Sequence, residues 1–156
     1  GVDLYCPELG EYGKVDLQQF PWPFDDGTVD EIHCSHYIEH SPRHLWPSFV
    51  DELHRILKPG GKATIIHPHV KSVRAFQDPF HVDFLPAERW VYVSKEWRTL
   101  NDLDRPPYPT CDFDVDVACS GVHPEFAGRS EAAQQMASLL YWDAVGDLQV
   151  TLTKRE

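Results

Sequence analysis

The sequence predicts an α/β domain built on one mostly parallel sheet, with an antiparallel pair near the C-terminus. Three observations lead there. The chain has 156 residues, 42% of them apolar and 25% charged, which is globular composition and the length of a single domain over residues 1–156. Short extended segments alternate with a periodic helix in the first half. Two period-two segments flank a helix at the end.

Taken in order, Val2–Tyr5 is a short strand stopped by Pro7, and residues 14–17 form a second extended piece. Phe20-Pro21-Trp22-Pro23-Phe24 is irregular, because its prolines lack N–H donors and restrict their neighbours. Asp25-Asp26-Gly27 is a turn, and Val29–Ser35 reads as a strand. Ser41-Pro42 opens a helix with a capping hydroxyl and a first-turn proline. Leu45, Phe49 and Leu53, with Trp46, Val50 and Leu57 alongside, give that helix one apolar face over 42–57. Lys58-Pro59-Gly60-Gly61 stops it. Ala63–His67 is a buried strand ending at Pro68, Pro86–Trp97 a helix, and the proline-rich stretch 104–110 a loop. Asp112, Asp114 and Asp116 alternate with Phe113, Val115 and Val117 in a half-exposed strand over 111–119. A helix over 131–141 and a strand through Leu148, Val150 and Leu152 complete the order.

Charge and cysteine usage exclude several classes. With 25 acidic and 14 basic residues the net charge is -11, which disfavours nucleic acid and anionic membrane surfaces as partners. No apolar run approaches the ~18 residues of a membrane span. Gly1–Cys6 holds no basic segment followed by an apolar one, so a secretory leader is not expected and the reading is cytoplasmic. None of Cys6, Cys34, Cys111 and Cys119 forms a Cys-x-x-Cys pair, which weakens zinc-ribbon and thioredoxin-like readings and fits a reducing compartment. Cys34 lies among apolar residues and reads as a small core residue.

The segment Val15–His40, VDLQQFPWPFDDGTVDEIHCSHYIEH, together with Glu52–Gly61, ELHRILKPGG, resembles the class I S-adenosylmethionine-dependent methyltransferases. The matching features are an acidic residue before a Pro-Phe loop, a strand leading into His-x-x-Glu-His, and a helix ending in Leu-Lys-Pro-Gly-Gly. Asp78-Pro79-Phe80-His81-Val82 and Leu148-Gln149-Val150-Thr151-Leu152 also look like that family. The resemblance implies a Rossmann-like methyltransferase sheet, incomplete at its N-terminus. Gly1-Val2-Asp3-Leu4 matches the family's second strand with its terminal acid, and the first strand with its Gly-rich loop is absent. The expectation is therefore a gap beside the strand at 29–35. Three readings stay open: a truncated form of a longer product, a neighbouring strand or second copy (a homodimer) completing the sheet, or a fold that has lost its cofactor.

The resemblance implies S-adenosylmethionine as cofactor and assigns residues to it. Asp3 would accept from the ribose hydroxyls, as an ionised carboxylate does well. Asp16 would take the adenine amino group and the Leu17 backbone a ring nitrogen, with Phe20–Phe24 as an apolar wall. Ser35, His36 and Tyr37 follow a strand, where ligands of open α/β sheets bind, and His36 would line the methyl-donor pocket. Glu39 and His40 would orient that loop. The plain alternatives are turn-capping aspartates, core aromatics and a backbone-satisfied histidine.

His67, His69 and His81 follow the strand at 63–67. One of them, with His67 and His81 foremost beside His36, is a candidate general base; the alternative is ordinary rim histidines. His33, His36, His40 and His44 have helical spacing, but Ser41-Pro42 interrupts any helix between them, so no metal centre is expected. Asp112, Asp114 and Asp116 lack a glycine-turn loop and read as a solvated acidic face rather than a calcium site. Methyl transfer from a sulfonium is a direct displacement in which the protein aligns and desolvates, so no catalytic triad is required. The implied function is methyl transfer to an unidentified small-molecule or macromolecular acceptor. The alternative is a non-catalytic binding module on the same fold.

Overall fold

The structure is a computed structural model that describes residues 15–155. The expected strand Val2–Tyr5, with Asp3, lies outside the described residues. Residues 15–16 are irregular and lead into a turn rather than a strand.

Strand β1, Val29–Ser35, has the predicted bounds. Its alternation sets Ile32 and Cys34 toward the core while Glu31, His33 and Ser35 are exposed. The helix expected over 42–57 forms in two stages, a 3-10 turn at Arg43–Leu45 and then α1 at Trp46–Ile56. The reason is Pro47: it has no N–H for the carbonyl of residue 43, so the α-helical ladder starts only where that donor is not required. Phe49, Val50, Leu53 and Ile56 make its buried face.

Strand β2, Leu57–Pro68, follows α1 without a break. Val29 pairs with Leu57 and Glu31 already with Lys62, so Lys58–Gly61 loops out of the ladder. A four-residue helix α2, Arg74–Gln77, comes next. The helix expected over 86–97 also divides, into a 3-10 segment at Ala87–Val93 and α3 at Lys95–Leu100, where the Ser94 hydroxyl caps the Trp97 N–H at 3.3 Å. Strand β3, Phe113–Val122, the short α4, Pro124–Ala127, helix α5, Glu131–Leu140, and strand β4, Val145–Lys154, complete the described chain.

The sheet order is β1-β2-β4-β3. Strands β1 and β2 are parallel, and β4 runs antiparallel to both β2 and β3. This is the mixed α/β sheet with a C-terminal antiparallel pair that the alternation of elements predicts. Helix α1 covers one face, where its apolar stripe meets Leu57, Ala63, Ile65, Trp90, Phe113, Val150 and Leu152 in one buried cluster. The acidic residues of β3 behave as a solvated face: Asp114 and Asp116 are exposed, and Asp114 pairs with Arg155 at 2.6 Å. No helix among the described residues is long and apolar enough to cross a membrane.

Candidate active site

The carboxyl end of β1 sets the site. The His36 N–H donates to the Ile66 carbonyl at 2.9 Å, and the chain then turns through φ +52° at His36 into the 3-10 turn Ile38–His40. A non-glycine residue in that left-handed region is uncommon and is found where a turn must redirect side chains. Here it sets the His36 ring against Glu39, Nδ1 to Oε1 at 3.0 Å. A carboxylate oxygen only accepts, so Nδ1 carries a hydrogen, and in the neutral ring the lone pair is on Nε2. Glu39 is 2% exposed and its Oε2 has no hydrogen-bond partner among the described residues.

A second wall comes from Asp16 and the proline-rich loop. The Asp16 carboxylate accepts from the Gln18 N–H at 3.0 Å and from Gln19 Nε2 at 2.9 Å, and the side chain is otherwise exposed. Leu17 gives its carbonyl to the Trp22 indole N–H at 3.2 Å, and no described residue accepts from the Leu17 N–H. Trp22 is buried against Phe20 and Phe49. Glu52 Oε1 accepts from the Trp22 N–H at 2.7 Å, while Arg55 donates to the Phe24 carbonyl at 2.7 Å and the Trp22 carbonyl at 3.1 Å. Helix α1 thereby fixes a loop that has no secondary structure of its own.

Tyr37 connects the two walls. Its ring lies 5.8 Å from Phe49, centroid to centroid. Burial pushes its phenol up to about 12; the Ser41 hydroxyl opposes that shift, and the Asp16 charge adds to it. The Asp16 carboxylate is thus within electrostatic reach of the residue that follows His36. Burial likewise pushes the Cys34 thiol up to about 12, helped by Glu39. Cys34 is therefore a neutral group packed on the core, as its apolar surroundings predict.

The remaining histidines separate. His67, expected on the rim as a candidate base, is fully buried. Its Nδ1–H donates to the Pro68 carbonyl at 2.9 Å and its Nε2 accepts from the Trp90 indole at 3.1 Å, so neither nitrogen is left for a substrate. The correction follows from strand periodicity: His67 shares a face with Ala63 and Ile65, which is the core face. His69 is also buried, and its Nδ1 accepts from the Lys71 N–H at 3.0 Å. His81 does reach the rim. It shares with His36, Glu39, His40, Arg74 and Asp78 a cleft of about 200 Å³ beyond the ends of β1 and β2. Arg74 and Asp78 were not among the predicted site residues; the Asp78-Pro79-Phe80-His81 motif is the signal that marks Asp78. His33 and His44 are exposed and stand outside this cleft.

Residues 6–65 match a protein family described as a methyltransferase domain. The chain is 31% identical over 128 residues to a 2-phytyl-1,4-naphtoquinone methyltransferase of Nostoc punctiforme, covering 69% of this chain and 54% of that protein. It is 31% identical over 99 residues to a ubiquinone/menaquinone biosynthesis C-methyltransferase of a Geobacter species, covering 54% of this chain and 41% of that one. The chain thus spans about half the length of the curated relatives it matches. Among solved structures, a SAM-dependent methyltransferase from Archaeoglobus fulgidus superposes with a TM-score of 0.62 at 15% identity, covering 90% of this chain and 66% of that one, which shows a shared fold.

Proposed function

We propose that this chain is a class I S-adenosylmethionine-dependent methyltransferase in which the rim formed by Asp16, Leu17, Ser35 and His36 holds S-adenosylmethionine for methyl transfer to a separate acceptor. One observation carries this reading. Asp16 offers a carboxylate acceptor directly beside a Leu17 N–H that no described residue uses. Adenine presents an amino donor next to a ring-nitrogen acceptor, the complement of that pair. Phe20, Trp22 and Phe24 supply the apolar wall that a purine ring needs, and Glu52 and Arg55 keep that wall in place. The donor set present therefore fits the nucleoside part of the cofactor. Asp3, outside the described residues, is the matching candidate for the ribose hydroxyls.

When bound, the cofactor supplies an electrophilic methyl group. The protein's part is alignment and exclusion of water. Ser35 and His36 stand at the end of β1, and in the neutral His36 ring the Nδ1–H donated to Glu39 leaves the lone pair on Nε2. His36 is therefore the group best placed to accept a proton from an acceptor that must lose one, with His81, which lines the same cleft, as the second candidate. His67 has no such role, since both its nitrogens are engaged in the core.

The test is calorimetric titration of the full chain with S-adenosylmethionine, paired with Leu17→Pro, which removes the N–H in question. Saturable binding by the wild type that Leu17→Pro weakens supports the reading. A wild-type protein with no saturable heat overturns it and favours a non-catalytic module on this fold.

A further inference from the structure

We propose that Glu39, His40 and His81 form a binding site for a divalent transition-metal ion of the zinc class. One ligand atom from each residue lies within 4.8 Å of the others. The two imidazole rings stand edge to face with centroids 4.7 Å apart. The inference does not rest on the methyl-transfer reading, because metal binding is measured without a methyl donor.

Hydrogen bonding has already chosen the ligand atoms. His81 Nδ1 faces the Ala75 carbonyl at 2.9 Å, and His40 Nδ1 faces the Phe80 carbonyl at 3.3 Å. A carbonyl only accepts, so each Nδ1 carries a hydrogen, and in the neutral ring the lone pair is on Nε2. A hydrogen bond from the other ring nitrogen to a carbonyl is what orients a metal-ligating histidine. The third donor is Glu39, whose Oε1 accepts from His36 at 3.0 Å while the buried Oε2 has no partner among the described residues. A carboxylate oxygen that is buried and unpartnered carries a desolvation cost that a cation removes.

The backbone holds these residues together across a long stretch of sequence. The Glu39 carbonyl accepts from the N–H groups of Val82 at 2.8 Å and Asp83 at 3.1 Å. Asp83, itself 2% exposed, is fixed by Arg89 and by Arg43 at 3.0 Å. Two imidazoles and one carboxylate match zinc and its neighbours rather than magnesium or calcium, which take oxygen ligands. Ligands of a tetrahedral zinc at ~2.05 Å stand about 3.3 Å apart. The present spacing of up to 4.8 Å therefore closes by about 1.5 Å on binding. The Asp78 carboxylate, 3.9 Å from His81 Nε2, adds negative charge beside the site. The adjoining cleft leaves room for a water or an oxygen-bearing molecule as a further ligand.

The experiment uses untagged full chain, stripped with chelator, titrated with Zn²⁺ by calorimetry and with Co²⁺ by visible absorption. One equivalent of Zn²⁺ is expected, with a Co²⁺ d–d band that Zn²⁺ abolishes and a Zn²⁺-dependent rise in melting temperature. His40→Ala and His81→Gln, checked for native circular dichroism, should lose at least a hundredfold in affinity. His36→Ala, which only removes the hydrogen bond on Glu39, should lose about 10–100-fold. His40 is the safer variant for folding because its ring is partly exposed. Absence of stoichiometric Zn²⁺ binding by the wild type overturns the proposal. So does Zn²⁺ binding, or Zn²⁺ stabilisation, that His40→Ala leaves unchanged, and so does selective binding of Mg²⁺ in place of Zn²⁺.

Discussion

The Trp90 indole N–H donates to His67 Nε2 at 3.1 Å, and both side chains are fully buried. Burial holds the His67 imidazole down to about 4 against an ordinary 6.5, and the charges of His69 and Arg89 act in the same direction. The folded state therefore prefers the neutral ring. Between pH 6.5 and about 4 the unfolded chain binds a proton that the folded chain refuses, so stability falls as pH drops through that window. Full expression is worth up to about 3 kcal/mol. His69 and His54, both lowered chiefly by burial, act in the same sense. His67→Gln keeps an acceptor for Trp90 without a titrating group. Urea unfolding across pH 4 to 7 should show a shallower loss for the variant than for wild type; parallel curves would remove His67 as the source.

Gly61 makes a different kind of packing prediction. A Cβ placed there would meet the Lys58 carbonyl at 2.9 Å and the Asp30 carbonyl at 3.0 Å, and backbone atoms cannot swing aside. Gly60, at φ +74°, has open space around it and carries only a conformational demand. Gly61→Ala is expected to cost about 1–3 kcal/mol by overpacking, and Gly60→Ala about 1 kcal/mol. Denaturant midpoints rank the two, and a Gly61→Ala protein as stable as wild type would refute the close approach.

Much of this architecture is written in local pattern. Ile32 and Cys34 alternate with polar neighbours, and β1 forms with those bounds. Phe49, Val50 and Leu53 recur at helical spacing and face the core. Pattern fails where one residue serves two purposes. Lys58-Pro59-Gly60-Gly61 has the chemistry of a helix stop, yet it is also the loop-out that lets β2 begin at Leu57. Pro47 suits a first helical turn, and by the same missing N–H it shifts that turn past the predicted start. His67 was legible in principle, since it sits in step with Ala63 and Ile65, but its position at a strand end suggested the rim. The approach of His81 to Glu39 was not legible. It depends on backbone bonds to one carbonyl across some forty positions, and no local propensity encodes such a contact.

The Arg55 guanidinium joins four acceptors from two segments, the loop at 22–26 and its own helix α1. It donates to Glu52, to Asp26 at 2.5 Å, to the Phe24 carbonyl at 2.7 Å and to the Trp22 carbonyl at 3.1 Å. Those partners, Glu52 first, raise its pKa further. Arg55→Met leaves the buried Glu52 charge with the Trp22 N–H as its remaining partner among the described residues and should cost about 2–3 kcal/mol. Arg55→Lys should recover little, because one ammonium cannot reach acceptors in this spread geometry. Glu52→Gln with Arg55→Met, which removes the stranded charge, should be more stable than Arg55→Met alone. A double-mutant cycle in urea reads this directly; additive losses would mean the two groups are not coupled.

Asp16 separates binding from folding. Among the described residues its carboxylate bonds only to Gln18 and Gln19 within its own turn, and the side chain is exposed, so Asp16→Ala should change stability by about 0.5 kcal/mol or less. If the carboxylate takes the adenine amino group, its removal deletes a charge-assisted hydrogen bond worth about 1.5–3 kcal/mol, which is roughly a tenfold to hundredfold loss of S-adenosylmethionine affinity. Asp16→Asn keeps one carbonyl acceptor and should fall between the two. Tyr37 supplies an internal check, because the Asp16 charge contributes to raising its phenol. Removing that charge should lower the Tyr37 titration slightly in a pH-dependent ultraviolet difference spectrum. A drop in affinity with this spectral change and an unaltered melting temperature would locate the adenine at Asp16. Unchanged affinity together with the spectral change would show that Asp16 is placed as described and yet does not hold the nucleoside.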